Sequence, residues 1–207
     1  MSYERQEAQP QTEKQYVFNI VGEQVALGPV HLDLTTPLHR WLNDFEVTLL
    51  SGDPLMPKSL EETRAEIERE AGGERQNHVG FIIYEHTTMR MIGIAELRQI
   101  NHIHRNATYG ILIGEKDCWH KGYGTETTRL ILDYGFTVLG LHNVVLHTYS
   151  YNIAAQRAYT KAGFRVVGTR REAWCWGGQF YDEIIMECLS SEFESINKPI
   201  IQLPGSK

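Results

Sequence analysis

The chain changes rhythm near residue 113. Before that point, Val79–Tyr84 and Met91–Leu97 are β-rich runs joined by a polar turn, as in a hairpin, and Ala107–Ile113 adds a third consecutive strand. After it, strands and helices alternate. Thr125–Phe136 has Leu130, Ile131 and Tyr134 spaced to cover one helical face, Asn143–His147 is a Val-rich strand, and Asn152–Ala162 is a short helix. An antiparallel run followed by alternation implies an α/β (α+β) fold: a mixed, mostly antiparallel sheet of about six to seven strands with helices on both faces.

The remaining elements are consistent with that layout. Val25–Val30 opens the sheet, Pro37–Leu42 starts a first helix, and Ser59-Leu60-Glu61-Glu62 is a capping box for a second helix through Glu70, ended by Gly72-Gly73. Asn152 is a good N-cap and Gly163 a good C-terminal stop for the last helix. Phe164–Gly168 and Tyr181–Met186 close the chain as a hairpin around Gly177-Gly178. Residues 1–16, rich in Gln, Glu and Pro, are expected to be a flexible tail, and residues 190–207, with Pro199, Pro204 and Gly205, a second tail.

Composition narrows the function. A chain of 207 residues with 42% apolar content supports one well-buried domain. A formal charge of −6 argues against a broad basic face, so no nucleic-acid partner is expected. Apolar runs such as Gly80–Tyr84 and Val144–Leu146 are far below a membrane span, and Met1 to Gln15 carries no signal core, so no membrane partner is expected either. Three cysteines, Cys118, Cys175 and Cys188, show no metal-ligand spacing, which points to a reduced, cytoplasmic protein without a metal. Cys118 lies near a Gly-rich segment, but no motif supplies the paired His–Asp that a nucleophile needs.

That segment runs Trp119-His120-Lys121-Gly122-Tyr123-Gly124-Thr125 between a strand and a helix. Unpaired N–H groups of a helix's first turn, together with its dipole, favour an anion, and Gly122 and Gly124 let a pyrophosphate approach the backbone. Lys121 adds a positive charge. Taken alone, two glycines this close more often form a simple turn. The chain carries neither Gly-x-x-x-x-Gly-Lys-Ser/Thr nor an early Gly-x-Gly-x-x-Gly, so the common nucleotide loops do not apply.

A second segment, Asn152-Ile153-Ala154-Ala155-Gln156-Arg157-Ala158-Tyr159-Thr160-Lys161-Ala162-Gly163-Phe164, follows the next strand. Together the two resemble the GNAT superfamily of acetyltransferases, whose cofactor loop reads Gln/Arg-x-x-Gly-x-Gly/Ala and whose later helix reads Asn-x-x-Ala-x-x-x-Tyr-x-x-x-Gly-Phe. The helix pattern is matched at Asn152, Ala155, Tyr159, Gly163 and Phe164. The loop pattern is matched at Gly122 and Gly124, with Trp119 at the Gln/Arg position, as in the RimJ/RimL-like branch. Leu27-Gly28-Pro29-Val30, Trp41-Leu42-Asn43-Asp44 and Tyr181-Asp182-Glu183-Ile184-Ile185-Met186 also resemble that branch. The resemblance covers Val25 to Leu189 and implies a single acetyltransferase domain over residues 17–189.

The resemblance implies acetyl-CoA as co-substrate and direct transfer to a primary amine. It places the cofactor against Ile111, Leu112, Ile113, Trp119, His120, Lys121, Gly122, Tyr123, Gly124, Thr125, Asn152 and Ala155. Tyr159 takes the position of the family's general acid, and a phenol near pKa about 10 holds its proton at neutral pH. The alternative is a ring packed on the sheet. The general base is open: Thr108 stands where many relatives carry Glu, and a hydroxyl cannot replace a carboxylate. Glu96 on the neighbouring strand either serves through water, binds a cationic substrate, or is a solvated strand residue. His102, His104 and His147 titrate in the useful range but are read first as surface residues.

For the acceptor, Ile100–Ala107 and Leu132–Leu139 resemble spermidine N-acetyltransferases, which implies a polyamine. Trp41–Asp44 and the Trp119 loop resemble enzymes acting on protein N-termini or other amines. Residues 44–75 hold nine acids against four bases, which suits a polycation or an ordinary solvated helix. Trp174, Trp176, Phe180 and Tyr181 either line the acceptor side or pack the hairpin. A fold relative that binds acyl-CoA without turnover stays open, and edge strands at the C-terminal hairpin offer a surface for a homodimer.

Overall fold

The structure, a computed structural model, describes residues 16–52, 55–73 and 77–195. Its strands are β1 (Ile20–Val21), β2 (Val25–Pro29), β3 (Val79–Glu85), β4 (Met91–Asn101), β5 (Asn106–Ile113), β6 (Asn143–Tyr149), β7 (Arg165–Trp176) and β8 (Gln179–Leu189). The helices are α1 (Thr35–Leu42), α2 (Phe45–Ser51), α3 (Leu60–Ala71), α4 (Tyr123–Thr137) and α5 (Ile153–Ala162), with 3-10 turns at Leu32–Leu34 and Lys116–Cys118. One sheet takes the order β1-β2-β3-β4-β5-β6-β8-β7, antiparallel everywhere except between β5 and β6. The fold is the mixed, mostly antiparallel sheet that the sequence predicts, with β1 as an additional short strand.

Local signals explain most boundaries. The Ser59 hydroxyl accepts from the Glu62 N–H at 3.1 Å while Glu62 accepts from the Ser59 N–H at 2.9 Å, so α3 begins on a complete capping box. Asn152 caps α5 by accepting from the Ala155 N–H at 3.1 Å, and Gly163 ends it at φ 116°, a left-handed conformation that a side chain would strain. α2 is an element the sequence reading omitted. Asp44 caps it through the Glu46 N–H, and Gly52 stops it at φ 87°. α1 starts two residues before Pro37, which sits in the first turn where its missing N–H costs nothing. β4 runs past Leu97 through an irregularity between Arg98 and Asn101, with Gln99 at φ 52°.

Two cores flank the sheet. Ile131, Leu132, Leu97, Phe164 and Met186 fill the layer under α4 and α5. Trp41, Leu34, Ile67, Ile82 and Tyr84 fill the layer under α1 and α3. Residues 190–195 continue against α4: the Phe193 ring lies 5.4 Å from Phe136, and the Ser195 hydroxyl donates to Asp133 at 2.5 Å. Tyr16 packs edge-on to Tyr84 at 5.7 Å. The expected flexible stretches at residues 1–15 and 196–207 lie outside the described residues. Among the described residues no helix is long and apolar enough to cross a membrane.

Candidate functional site

β5 has two unlike edges. On one side it pairs with β4 from Thr108 to Ile113, opposite Arg98 to Gly93. On the other it pairs with β6 over only Asn106–Thr108, opposite Asn143–Val145. β6 then continues to Tyr149 alongside β8 while β5 continues to Ile113 alongside β4. The two strands therefore part beyond Thr108. The β5 edge from Tyr109 to Ile113 faces no strand, and its backbone groups need another hydrogen-bond partner. An extended ligand carrying amides can lie there as an added strand.

The loop after β5 delivers a second feature. Trp119 donates its indole N–H to the Ile113 carbonyl at 2.8 Å, which folds the loop back on its strand. His120 (φ 61°) and Gly122 (φ 92°) reverse the chain into α4. No side chain caps α4, and its first bond runs from the Glu126 N–H to the Gly122 carbonyl at 3.0 Å. The helix starts two residues earlier than the sequence reading placed it, so Tyr123, Gly124 and Thr125 form its first turn with N–H groups facing outward.

Neighbouring charges clamp this loop. Arg90 donates to Asp117 at 2.7 Å and to the Cys118 sulfur at 3.1 Å, and the Arg90 bond holds the Asp117 carboxyl below its usual range. Tyr123 donates to Glu85 at 2.7 Å, and that carboxylate, with burial, pushes the phenol up to about 12. Lys116 ties the loop to α2 through Asp44 (2.7 Å) and Glu46 (2.6 Å), and its bond to Asp44 lowers that carboxyl. Burial raises the Cys118 thiol, which disfavours the thiolate that a nucleophile requires.

Between the open edge, the α4 N-terminus and α5 lies a cleft of about 640 Å³. Of the sequence-predicted residues, Ile111, Leu112, Ile113, Trp119, His120, Gly122, Tyr123, Gly124, Thr125, Asn152, Ala155 and Tyr159 line it, whereas Lys121 and Glu96 do not. The positive charges in the lining are instead Arg157 and Lys161, which the sequence reading missed although their i, i+4 spacing places both on the Tyr159 helix. Val47, Leu50, Ser51 and Tyr151 were also missed, because α2 was not foreseen. Tyr151 donates to the Leu49 carbonyl at 2.8 Å and Asn152 to the Leu50 carbonyl at 3.2 Å, so the end of α2 is fastened to the start of α5.

Tyr159 stands edge-on to Tyr109 and Phe164, at 6.3 and 6.1 Å between ring centres. Burial alone pushes its phenol up to about 12, and among the described residues its hydroxyl has no hydrogen-bond partner. Tyr109, fully enclosed, shares a 3.0 Å bond with Thr128. Glu96 is not among the residues that line this cleft. It sits in register between Gly80 of β3 and Gly110 of β5, bonded to His78 at 2.8 Å and Arg98 at 3.1 Å. The Thr108 hydroxyl donates to Gln99 at 3.1 Å. His102 and His104 are exposed in the β4–β5 turn, and His147 lies 3.6 Å from the buried Glu183.

The acidic count over residues 44–75 is largely spent internally: Asp44 and Glu46 on Lys116, Glu66 on Lys58, Glu68 on Arg64, and Glu62 in its capping box. Asp53, Glu74 and Arg75 lie outside the described residues. Trp174, Trp176 and Tyr181 join Tyr149 and Tyr151 in an aromatic cluster, with Tyr149 4.9 Å from Trp174 and Tyr151 4.9 Å from Tyr181, while Phe180 is exposed.

Comparison with known proteins decides the family. Residues 24–165 match the model of the acetyltransferase (GNAT) domain. The chain belongs to the GNAT acetyltransferase family. Among curated GNAT relatives, spermidine N(1)-acetyltransferase of Vibrio cholerae serotype O1 is 34% identical over 113 residues, covering 54% of this chain and 64% of that protein. Spermidine N(1)-acetyltransferase of Escherichia coli K12 is 38% identical over 94 residues, covering 45% and 50%. The chain thus aligns with one half to two thirds of the length of these relatives. The crystal structure of the Vibrio cholerae spermidine N-acetyltransferase in complex with CoA and spermine superposes with a TM-score of 0.73 at 25% identity, covering 82% of this GNAT chain and 97% of that one.

Proposed function

We propose that this GNAT chain is an acetyl-CoA-dependent N-acetyltransferase that moves the acetyl group directly to a primary amine of the polyamine class. One observation carries the reading: the parted β5–β6 edge, the uncapped α4 N-terminus and the unbonded Tyr159 hydroxyl all open into one cleft. Acetyl-CoA supplies an activated acyl group on a long, amide-bearing arm with a pyrophosphate at its far end. The first-turn N–H groups of Tyr123, Gly124 and Thr125 suit the pyrophosphate, Arg157 and Lys161 add charge for its phosphates, and the β5 edge suits the amides. Tyr159, held protonated by burial, donates to the departing sulfur as the carbon–nitrogen bond forms and the carbon–sulfur bond breaks, while the amine nitrogen gives its proton to water and Tyr159 regains its own from water. The polyamine assignment draws on the spermidine N-acetyltransferase relatives.

A second reading has its own support: among the described residues no Asp or Glu lines the cleft, which suits a module that binds acyl-CoA without turnover. Incubating purified protein with acetyl-CoA and a panel of polyamines, N-terminal peptides and aminoglycosides separates the two. Thiol release that depends on a polyamine is the expected result. CoA binding with no thiol release from any amine would overturn the enzyme reading in favour of the sensor.

A further inference from the structure

Glu96 is placed in a trough. Its partners in register are Gly80 on one side and Gly110 on the other, so no side chain flanks it across three strands. The gap at Gly80 is filled by Glu70 from α3, whose carboxylate occupies the place a Cβ would take. The gap at Gly110 is covered by Glu96 itself and by Arg98, which would stand 3.1 and 3.3 Å from a Cβ. Gly110 is two residues beyond Thr108, where β5 leaves β6, and directly precedes Ile111, which lines the donor cleft. It keeps 26% of its side-chain surface exposed, enough for a ligand to reach it.

His78 sets this placement. Its Nε2 lies 2.8 Å from one Glu96 oxygen, while its Nδ1 faces Glu70 at 3.9 Å. Without His78, the remaining polar contact of Glu96 among the described residues is Arg98, two residues along the same strand, which draws the carboxylate along β4. Resting on the acetyltransferase reading above, we propose that His78 is a positioning residue that holds Glu96 over Gly110 to receive the ammonium of the acceptor amine. Glu70 faces the imidazole from the α3 side.

The test uses the full chain with acetyl-CoA and spermidine. His78→Ala lowers kcat/KM for spermidine by roughly 10- to 100-fold, the cost of a slightly misplaced group, and leaves KM for acetyl-CoA unchanged. His78→Gln, which still offers an N–H to Glu96, restores most of the loss. In a Glu96→Gln background His78→Ala has no further effect, because the histidine acts through that carboxylate. Gly110→Ala, at an ordinary backbone angle, keeps the fold and reproduces the loss by displacing Glu96. Equal losses for His78→Ala with and without Glu96, or no rescue by Gln, would reduce His78 to a structural tie and overturn the proposal. Unmodified protein inert towards every amine would sink the parent reading first, and this one with it.

Discussion

In the proposed reaction Tyr159 is the residue on which the chemistry turns. Its position at the fourth place after Ala155 was readable from the helix motif, but its state was not: burial among Tyr109 and Phe164 keeps the phenol protonated, and nothing described competes for the hydroxyl. Tyr159→Phe removes only that oxygen and should lower kcat by roughly 10²- to 10⁴-fold while leaving CoA affinity in place. Because the group titrates at about 12, activity should show no basic limb from Tyr159 below pH 11, since the acid stays loaded until pH approaches that value. Calorimetric CoA binding beside steady-state rates checks both, and an unchanged kcat would remove the acid role. Glu96 is the contrary case. Its carboxylate was visible in the chain, yet its partner His78 is 18 positions away and meets it only through strand register.

At the scale of elements, α5 is where two jobs share one residue. Asn152 accepts from the Ala155 N–H to cap the helix and donates to the Leu50 carbonyl to hold α2. Asn152→Ala should therefore cost about 1 kcal/mol for the cap and about 1 for the tie, or roughly 4–8 °C in Tm. Asn152→Asp keeps the acceptor and loses the donor, so about half the loss is expected by scanning calorimetry; equal losses would show that the tie to α2 is idle. The caps at Ser59, Glu62, Asn152 and Gly163 were legible because capping is local chemistry. α2 was not, because seven residues give too few turns for a periodic apolar pattern, although Asp44 and Gly52 mark its ends. The parting of β5 and β6 was invisible too, since neither strand's sequence encodes where its neighbour turns away.

For the molecule as a whole, buried acids set the alkaline limit of stability. Burial pushes Tyr84 and Tyr159 up to about 12 and Cys188 up to about 11, against ordinary values of 10 and 9. Above those ordinary values the unfolded chain gives up protons that the folded chain keeps, so stability is complete below pH 9 and falls as pH rises from 9 towards 12. Urea midpoints at pH 8.5, 10 and 11.5 should decline in that order, and Tyr159→Phe should soften the last step. A midpoint that stays level would mean these groups titrate normally in the fold.

The half-paired β5 carries one more consequence. A sheet that parts beyond Thr108 is a strand short of its own hydrogen-bond complement, and on the proposed function the missing length is supplied by bound CoA. Folding is then linked to metabolite supply. CoA at a hundred times its dissociation constant should add about 2.7 kcal/mol to the unfolding free energy. Limited proteolysis with and without CoA reads this directly as a longer-lived chain when the ligand is present, and identical digestion would show the gap to be filled by water alone. On the proposed function, the lifetime of such a protein would rise and fall with the supply of its acetyl donor.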